Sequence, residues 1–184
     1  MKDQRTSFGI ALGSNVGDAL ANLQRGVRLL LESVPGVILD GVGGLYETAP
    51  VDCAPGTPAF VNSVVGISAP ASPQRVHACL IEIETLLGRP KIRAKNEPRT
   101  LDLDLLFAGD LVSDDPVLTI PHPRLHERGF VLWPLADFQP DLVLPGQTLS
   151  VKALADGLGE DASSIKKLAG PEWVSTTNSL FPGS

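Results

Sequence analysis

The sequence predicts an α+β domain whose strands and helices follow one another in the order β-α-β-β-α-β. Apolar residues recur with a helical period over residues 20–31 and 76–87, which indicates two amphipathic helices. Short segments rich in β-branched or alternating apolar residues precede, separate and follow these helices. This order is that of the ferredoxin-like fold, in which a largely antiparallel sheet carries helices on one face. The other face is then free to carry a site.

The first half of the domain begins with a strand that leads directly into a helix. Residues 7–12 form an apolar run that ends at Gly13, and Asp18 has a side chain suited to capping the first helix. That helix ends before Pro35. A second strand is expected over residues 37–46, where three glycines weaken the strand pattern.

The second half repeats this pattern after a loop. A strand rich in β-branched residues is expected over residues 59–67. Ser72 is a suitable N-cap for the second helix, Pro73 suits its first position, and Gly88 ends it. The remaining elements are a strand over 101–107, a short strand over 117–120, a short helix over 124–136 and a last helix over 151–158. We assign residues 1–169 to one domain and expect 170–184 to form a flexible tail.

The composition indicates a globular protein that binds a small anionic ligand. The 184 residues are 43% apolar and 20% charged, ordinary values for a domain with a hydrophobic core. The net charge of −6 argues against a nucleic acid partner, because that affinity depends on neutralising phosphates. No apolar run suits a membrane and no signal peptide is evident, so a cytoplasmic protein is expected. Basic residues nevertheless cluster in one segment, at Arg89, Lys91, Arg93, Lys95 and Arg99.

The most informative segment is the strand that contains Asp102 and Asp104 between leucines. Side chains two residues apart on a strand share a face and lie about 6.6 Å apart. Two carboxylates at that separation repel unless cations lie beside them, and divalent cations shared with substrate phosphates would meet this need. An amphipathic edge strand with a hydrated face is the alternative interpretation. Neither a Walker-type phosphate loop nor a dinucleotide-binding glycine motif is present, so side chains and metals would have to hold any nucleotide.

Several separated motifs together resemble the 6-hydroxymethyl-7,8-dihydropterin pyrophosphokinase family of the folate pathway. The resemblance runs from about residue 8 to residue 145, and its pieces keep the family's order and near-family spacing. These pieces are Gly13-Ser14-Asn15, Tyr46-Glu47-Thr48-Ala49-Pro50-Val51, Phe60-Val61-Asn62, Gly88-Arg89, Pro98 to Asp104, and Pro121 to Leu135 with its His122-Pro123-Arg124 and Arg128-Gly129-Phe130 segments.

The resemblance implies a ferredoxin-like enzyme that transfers the pyrophosphoryl group of ATP to the hydroxymethyl oxygen of the pterin and releases AMP. On the matching positions, Asp102 and Asp104 would hold two Mg²⁺ ions. Arg89 and Arg99 would contact the phosphates of ATP, since a planar guanidinium suits phosphate oxygens. The other residues implied around ATP are Lys91, His122, Arg128 and, more loosely, Glu84, which could equally be an exposed helical residue.

The resemblance also implies a pterin site. Asn62 would read the polar edge of the ring, Phe130 would stack on it, and Phe60 would line the pocket. The other residues implied are Thr48 and Val51, through backbone contacts, and Asn15, for which a turn role is equally expected.

The chain departs from the family at three positions. Lys95-Asn96-Glu97 stands where many members have a Trp, Phe60 where Tyr is frequent, and Lys91 where Arg is common. We expect a monomer or weak dimer that acts on small molecules. A non-catalytic sensor of nucleotide or pterin on the same fold is the alternative, and a metal-dependent phosphohydrolase is a third possibility.

Overall fold

The computed structural model describes residues 5–49, 56–88, 98–159 and 165–174. Its largest sheet has the order β5-β1-β4-β3-β8, and β2 pairs with β4 beside β3. All of its strand pairs are antiparallel. The strands are β1 (Thr6–Ser14), β2 (Ile38–Val42), β3 (Leu45–Thr48), β4 (Phe60–Ala69), β5 (Asp102–Ala108), β6 (Ser113–Asp115), β7 (Leu118–Ile120) and β8 (Ile165–Ala169), and the helices are α1 (Ala19–Ser33), α2 (Pro73–Leu86), α3 (Gly129–Ala136) and α4 (Val151–Asp156).

This topology confirms the predicted ferredoxin-like class. The helix starts also follow the predicted chemistry, because Asp18 Oδ1 accepts the Ala21 N–H at 3.0 Å and Ser72 Oγ accepts the Arg75 N–H at 3.2 Å. Helices α1 and α2 pack on one face of the sheet, over a core that includes Phe8, Ile10 and Leu23. Within the described ranges, no helix is both long and apolar enough to cross a membrane.

The predicted second strand is in fact two strands, β2 and β3, separated at Gly43. The Gly43 N–H still donates to Val64 O at 2.8 Å, so the chain stays beside β4 while it changes course. A Cβ on Gly43 would lie 2.3 Å from Pro134 O of α3, which only a glycine avoids. The break between β2 and β3 therefore lets α3 approach the face of the sheet opposite α1 and α2.

A second correction concerns the end of the chain, where the sequence predicts a flexible tail from residue 170. Residues Ile165–Ala169 form β8 against β3, and Pro171–Val174 form a 3₁₀ helix. The Trp173 side chain is only 3% exposed, and its Nε1–H donates to Gly43 O at 2.8 Å. The prediction is wrong for residues 171–174, because an indole packs into the core there. The rest of the predicted tail lies outside the described residues.

Three polar side chains tie β8 to the rest of the sheet. Tyr46 Oη donates to Asp137 Oδ2 at 2.9 Å, and Lys167 Nζ donates to Asp137 Oδ1 at 2.7 Å. The Gly44 N–H also donates to Asp137 Oδ2, at 2.8 Å. These bonds connect β3, the end of α3 and β8 through one carboxylate.

This cluster predicts a loss of stability in alkaline solution. Burial raises the pKa of Tyr46 above its ordinary 10.0, and the hydrogen bond to Asp137 raises the pKa of Lys167 above 10.5. Folding therefore favours the protonated form of both groups. Their contribution is complete below about pH 10 and is lost as pH rises through the raised values.

Thermal unfolding measured from about pH 9 to about pH 11 tests this expectation. The melting temperature of the wild type is expected to fall more steeply over this range than that of Tyr46→Phe, which has no phenol to ionise. Parallel profiles of the two proteins would contradict the role assigned to Tyr46.

Candidate active site

The sheet face opposite α1 and α2 carries a row of residues that are neighbours across four strands. Asp102 pairs with Gly13, Gly13 with Asn62, and Asn62 with Tyr46. Cross-strand partners project from the same face, and adjacent strands lie about 4.8 Å apart, so Asp102 and Asn62 stand about 10 Å from each other. Gly13 has no side chain between them, and a Cβ there would lie 3.1 Å from Asn62 Oδ1. The row therefore has no side chain between an amide and a carboxylate.

Asp102 and Asp104 project from this face of β5, as the alternation predicts. The leucines beside them, Leu101, Leu103 and Leu105, are buried in the core. The two aspartate side chains stay accessible, with 22% and 42% of their surface exposed. Strand alternation thus places two carboxylates at the surface of the site and anchors them through the leucines.

Each aspartate faces an arginine. Arg99 Nη1 donates to Asp102 Oδ2 at 2.6 Å, and Arg128 Nη1 lies 4.0 Å from Asp104 Oδ2. The Nε–H of Arg99 is buried and has no hydrogen-bond partner among the described residues. A buried donor of this kind can accommodate an incoming oxygen ligand.

The same two arginines also lie over aromatic rings. Arg99 Cζ is 5.6 Å from the centroid of Phe60, and Arg128 Cζ is 5.5 Å from the centroid of Phe130. Both distances suit cation–π contacts. The structure therefore brings the predicted phosphate side and the predicted pterin side together around two arginines.

His122 lies near this group of charges. Burial lowers its pKa below the ordinary 6.5, while the Asp104 carboxylate opposes the shift. Its Nδ1 accepts the Arg124 N–H at 3.2 Å, so the neutral ring carries its proton on Nε2. Burial also lowers the pKa of Arg128 below its ordinary value. His122 is therefore a neutral donor near neutral pH, which suits contact with an anionic oxygen.

Asn62 and Thr48 form the polar end of the row. Asn62 is buried, and its Nδ2 donates to Thr48 Oγ1 at 3.0 Å. A weaker contact joins the same Nδ2 to Tyr46 O at 3.5 Å. These bonds fix the amide plane and leave Oδ1 beside Gly13.

Asn15 does not join this polar end. Its side chain is 4% exposed, Oδ1 accepts the Arg99 N–H at 2.8 Å, and Nδ2 donates to Pro58 O at 3.4 Å. Both ends of the amide are therefore used within the protein. These partners lie in distant segments of the chain, and the pterin and turn roles expected from the sequence both stay predictions.

Glu84 is not the exposed helical residue that the sequence also allowed. It is 6% exposed on α2, and its Oε1 accepts the Leu103 N–H at 2.7 Å. Leu103 lies between the two aspartates, and this amide sits on the side of β5 away from β1. Glu84 thus provides an acceptor for one backbone N–H of the strand that carries Asp102 and Asp104.

Glu84→Ala is expected to lower the free energy of unfolding by about 1–3 kcal/mol, because it leaves a buried N–H without this acceptor. Glu84→Gln retains an oxygen acceptor and is expected to lose less. Urea unfolding measures both changes. Glu82→Ala on the same helix is the control, since Glu82 is exposed and its contact with Arg75 is 4.0 Å long. Equal stability of the Glu84→Ala and Glu82→Ala variants would contradict this role.

Three of the predicted site residues, Val51, Arg89 and Lys91, lie outside the described residues. Gly13, to which the sequence analysis gave no site role, puts no side chain between Asp102 and Asn62. A usable signal was the Gly-Ser-Asn turn at the end of an apolar strand, but only the strand register shows which side chains Gly13 separates.

Several known proteins are similar in sequence to this chain. The family model described as 7,8-dihydro-6-hydroxymethylpterin-pyrophosphokinase (HPPK) matches residues 9–140. The 2-amino-4-hydroxy-6-hydroxymethyldihydropteridine pyrophosphokinase of Synechocystis sp. is 39% identical over 142 residues, which are 76% of this chain and 71% of that protein. The enzyme of the same name from Pseudomonas aeruginosa is 38% identical over 136 residues, 74% of this chain and 82% of that protein.

Some relatives are much longer than this chain. The mitochondrial folate synthesis bifunctional protein of Pisum sativum is 41% identical over 128 residues, 70% of this chain but only 24% of that protein. The fold is also similar to that of Plasmodium falciparum HPPK-DHPS crystallised with pteroate, with a TM-score of 0.70 at 14% identity. That likeness covers 90% of this chain and 47% of the other.

These findings confirm the predicted enzyme class, a pyrophosphokinase of folate biosynthesis with ATP as co-substrate. The chain belongs to the 7,8-dihydro-6-hydroxymethylpterin-pyrophosphokinase family.

Proposed function

We propose that this chain transfers the pyrophosphoryl group of ATP to the hydroxymethyl oxygen of 6-hydroxymethyl-7,8-dihydropterin, with AMP as the second product. The observation that carries this proposal is the row from Asp102 across Gly13 to Asn62. It puts a carboxylate with its arginine at one end and an amide suited to a polar ring edge at the other. A ligand that spans this row would have a flat ring near Asn62 and its reacting group near the aspartates.

The two aspartates suit Mg²⁺, and we propose that they hold two such ions. Both are hard oxygen donors on one face of β5, and both remain accessible. No group of three or more His, Cys, Asp or Glu side chains forms a metal site by itself in the part of the chain that the structure describes. Mg²⁺ is commonly held by one or two carboxylates with substrate phosphates and water, so two aspartates are a sufficient protein contribution. When bound, the ions supply positive charge that offsets the phosphates and activates the attacking hydroxyl.

Arg99 and Arg128 supply further positive charge from the protein. Each guanidinium lies within 4.0 Å of a carboxylate and can shift toward phosphate oxygens, which a guanidinium can bind in a bidentate geometry. Charge that develops on the transferred group is then met by oriented donors. The family resemblance implies contacts of Arg89, Lys91 and His122 with the same nucleotide, and the neutral ring of His122 is compatible with a donor role.

The pterin is assigned to the amide end of the row. Asn62 Oδ1 can accept from the amino edge of the ring, and the fixed bond to Thr48 holds the amide in one orientation. Phe60 and Phe130 offer ring faces for stacking once the arginines above them shift, each contact being worth about 1 kcal/mol beyond area burial. Val51 belongs to this side by resemblance.

The monomeric or weakly dimeric state and the cytoplasmic location stay predictions.

The test is AMP release from MgATP, with and without 6-hydroxymethyl-7,8-dihydropterin. We expect AMP only when the pterin is present, together with a diphosphorylated pterin product. ADP or inorganic phosphate as the product would contradict the proposal and indicate a kinase or a hydrolase. Tight binding of pterin or ATP without turnover would also contradict it and favour the sensor.

A further inference from the structure

We infer that Asn15 is a positioning residue for Arg99, and this inference rests on the proposed function. Asn15 binds the main chain of Arg99 on both sides. The Arg99 N–H donates to Asn15 Oδ1 at 2.8 Å, and the Asn15 N–H donates to Arg99 O at 3.2 Å. Two bonds between the same two residues fix the position and the direction of the Arg99 backbone.

The third bond of Asn15 reaches a different part of the site. Its Nδ2 donates to Pro58 O, two residues before Phe60. Asn15 thus joins three segments, the end of β1, the entry to β4 and the entry to β5. With its side chain 4% exposed, the amide has little freedom to exchange these partners for water.

The position of the Arg99 backbone matters because the Arg99 side chain contacts several groups at once. The guanidinium contacts Asp102 and the ring of Phe60, and its buried Nε–H has no partner within the described residues. For this side chain to leave Asp102 for a phosphate and still donate in the correct direction, its Cα must stay in place. A misplacement of about 1 Å can cost about 100-fold in rate.

The same geometry sets the separation of the two substrate subsites. Arg99 belongs to the phosphate side, and the segment that begins at Pro58 leads to Phe60 and Asn62 on the pterin side. Asn15 holds both segments with one amide. Its loss should therefore affect the alignment of two bound substrates more than the affinity for either alone.

The experiment compares Asn15→Ala, Asn15→Asp and a control, Asn22→Ala. Asn22 supports the same turn, since its Nδ2 donates to Val16 O at 2.7 Å and to Ser14 Oγ at 3.2 Å, but none of these bonds involves Arg99. We expect Asn15→Ala to lower kcat by about 10- to 100-fold with a much smaller change in KM for either substrate. Asn15→Asp keeps an acceptor for the Arg99 N–H and should recover part of kcat, whereas Asn22→Ala should retain kcat.

Amide hydrogen exchange at Arg99 adds a readout that does not depend on turnover. Its protection should fall in Asn15→Ala and persist in Asn22→Ala. The inference is overturned if protection is unchanged in Asn15→Ala, or if the two alanine variants lose kcat equally at matched thermal stability. If the wild type itself releases no pterin-dependent AMP, the proposed function fails and this role fails with it. Intact protection of the Arg99 amide in the wild type would then show that the hydrogen bond from Arg99 N–H to Asn15 Oδ1 forms, and that the proposed function is what is wrong.

Discussion

Asp102→Asn and Asp104→Asn are each expected to lower kcat by about 1,000-fold or more. Asparagine keeps the size of the side chain and one oxygen, but it removes the negative charge that a divalent cation requires. Each variant would lose one proposed Mg²⁺ ligand at the place where positive charge must offset the charge of the phosphates. Asp102→Asn also removes the negative charge of the group that accepts from Arg99 Nη1 at 2.6 Å.

Steady-state AMP release measures this effect, and a Mg²⁺ titration gives a second readout. We expect a higher Mg²⁺ requirement in both variants, because the remaining ligands bind the cation more weakly. Asp114→Asn is the matched control, since it removes one carboxylate from an exposed position on β6, away from the row. Activity near that of the wild type in either site variant would exclude a role for the aspartate pair in metal binding.

Trp173→Ala is expected to lower the free energy of unfolding by about 3–5 kcal/mol, a large share of the stability of an ordinary domain. The indole is buried against the core on the α1 side of the sheet, and its removal leaves a cavity. The substitution also removes the hydrogen bond from Nε1 to Gly43 O. That carbonyl accepts from Ser63 Oγ as well, at 3.1 Å, so it keeps one of its two partners.

Equilibrium unfolding in urea separates the two contributions of the indole. Trp173→Phe keeps an aromatic ring but loses the donor, and an intermediate loss of stability is expected. Leu168→Ala is the control, because Leu168 is an exposed apolar residue of the neighbouring strand. If Trp173→Ala is no less stable than Leu168→Ala, the last described segment is not part of the core.

Features that depend on neighbouring residues were predictable from the sequence. The alternation of Asp and Leu around Leu103 fixed which side chains share a face, because the period of a strand is a local property. Helix caps at Asp18 and Ser72 were predictable for the same reason. The order of these elements was then sufficient for the fold class.

Features that depend on distant partners were not predictable. Trp173 lies in a segment rich in small and polar residues, and its partner Gly43 is 130 positions away. Glu84 lies beside the apolar stripe of α2, and its partner, the Leu103 N–H of β5, comes from a separate element. Asn15 reaches Arg99 across 84 positions. In all three cases the local pattern does not identify the distant group that the side chain contacts.

The packing of Trp173 beside Gly43 also bears on when this domain can fold during its synthesis. Strand β3 lacks its outer neighbour until β8 has been made, and Gly43 O lacks the indole donor until residue 173 has left the ribosome. Shorter nascent chains therefore expose an unpaired strand edge and part of the α1-side core. Contacts between such distant residues also slow folding, because a long loop must close before they can form. The polypeptide thus reaches its stable form only in the last stage of translation of this domain.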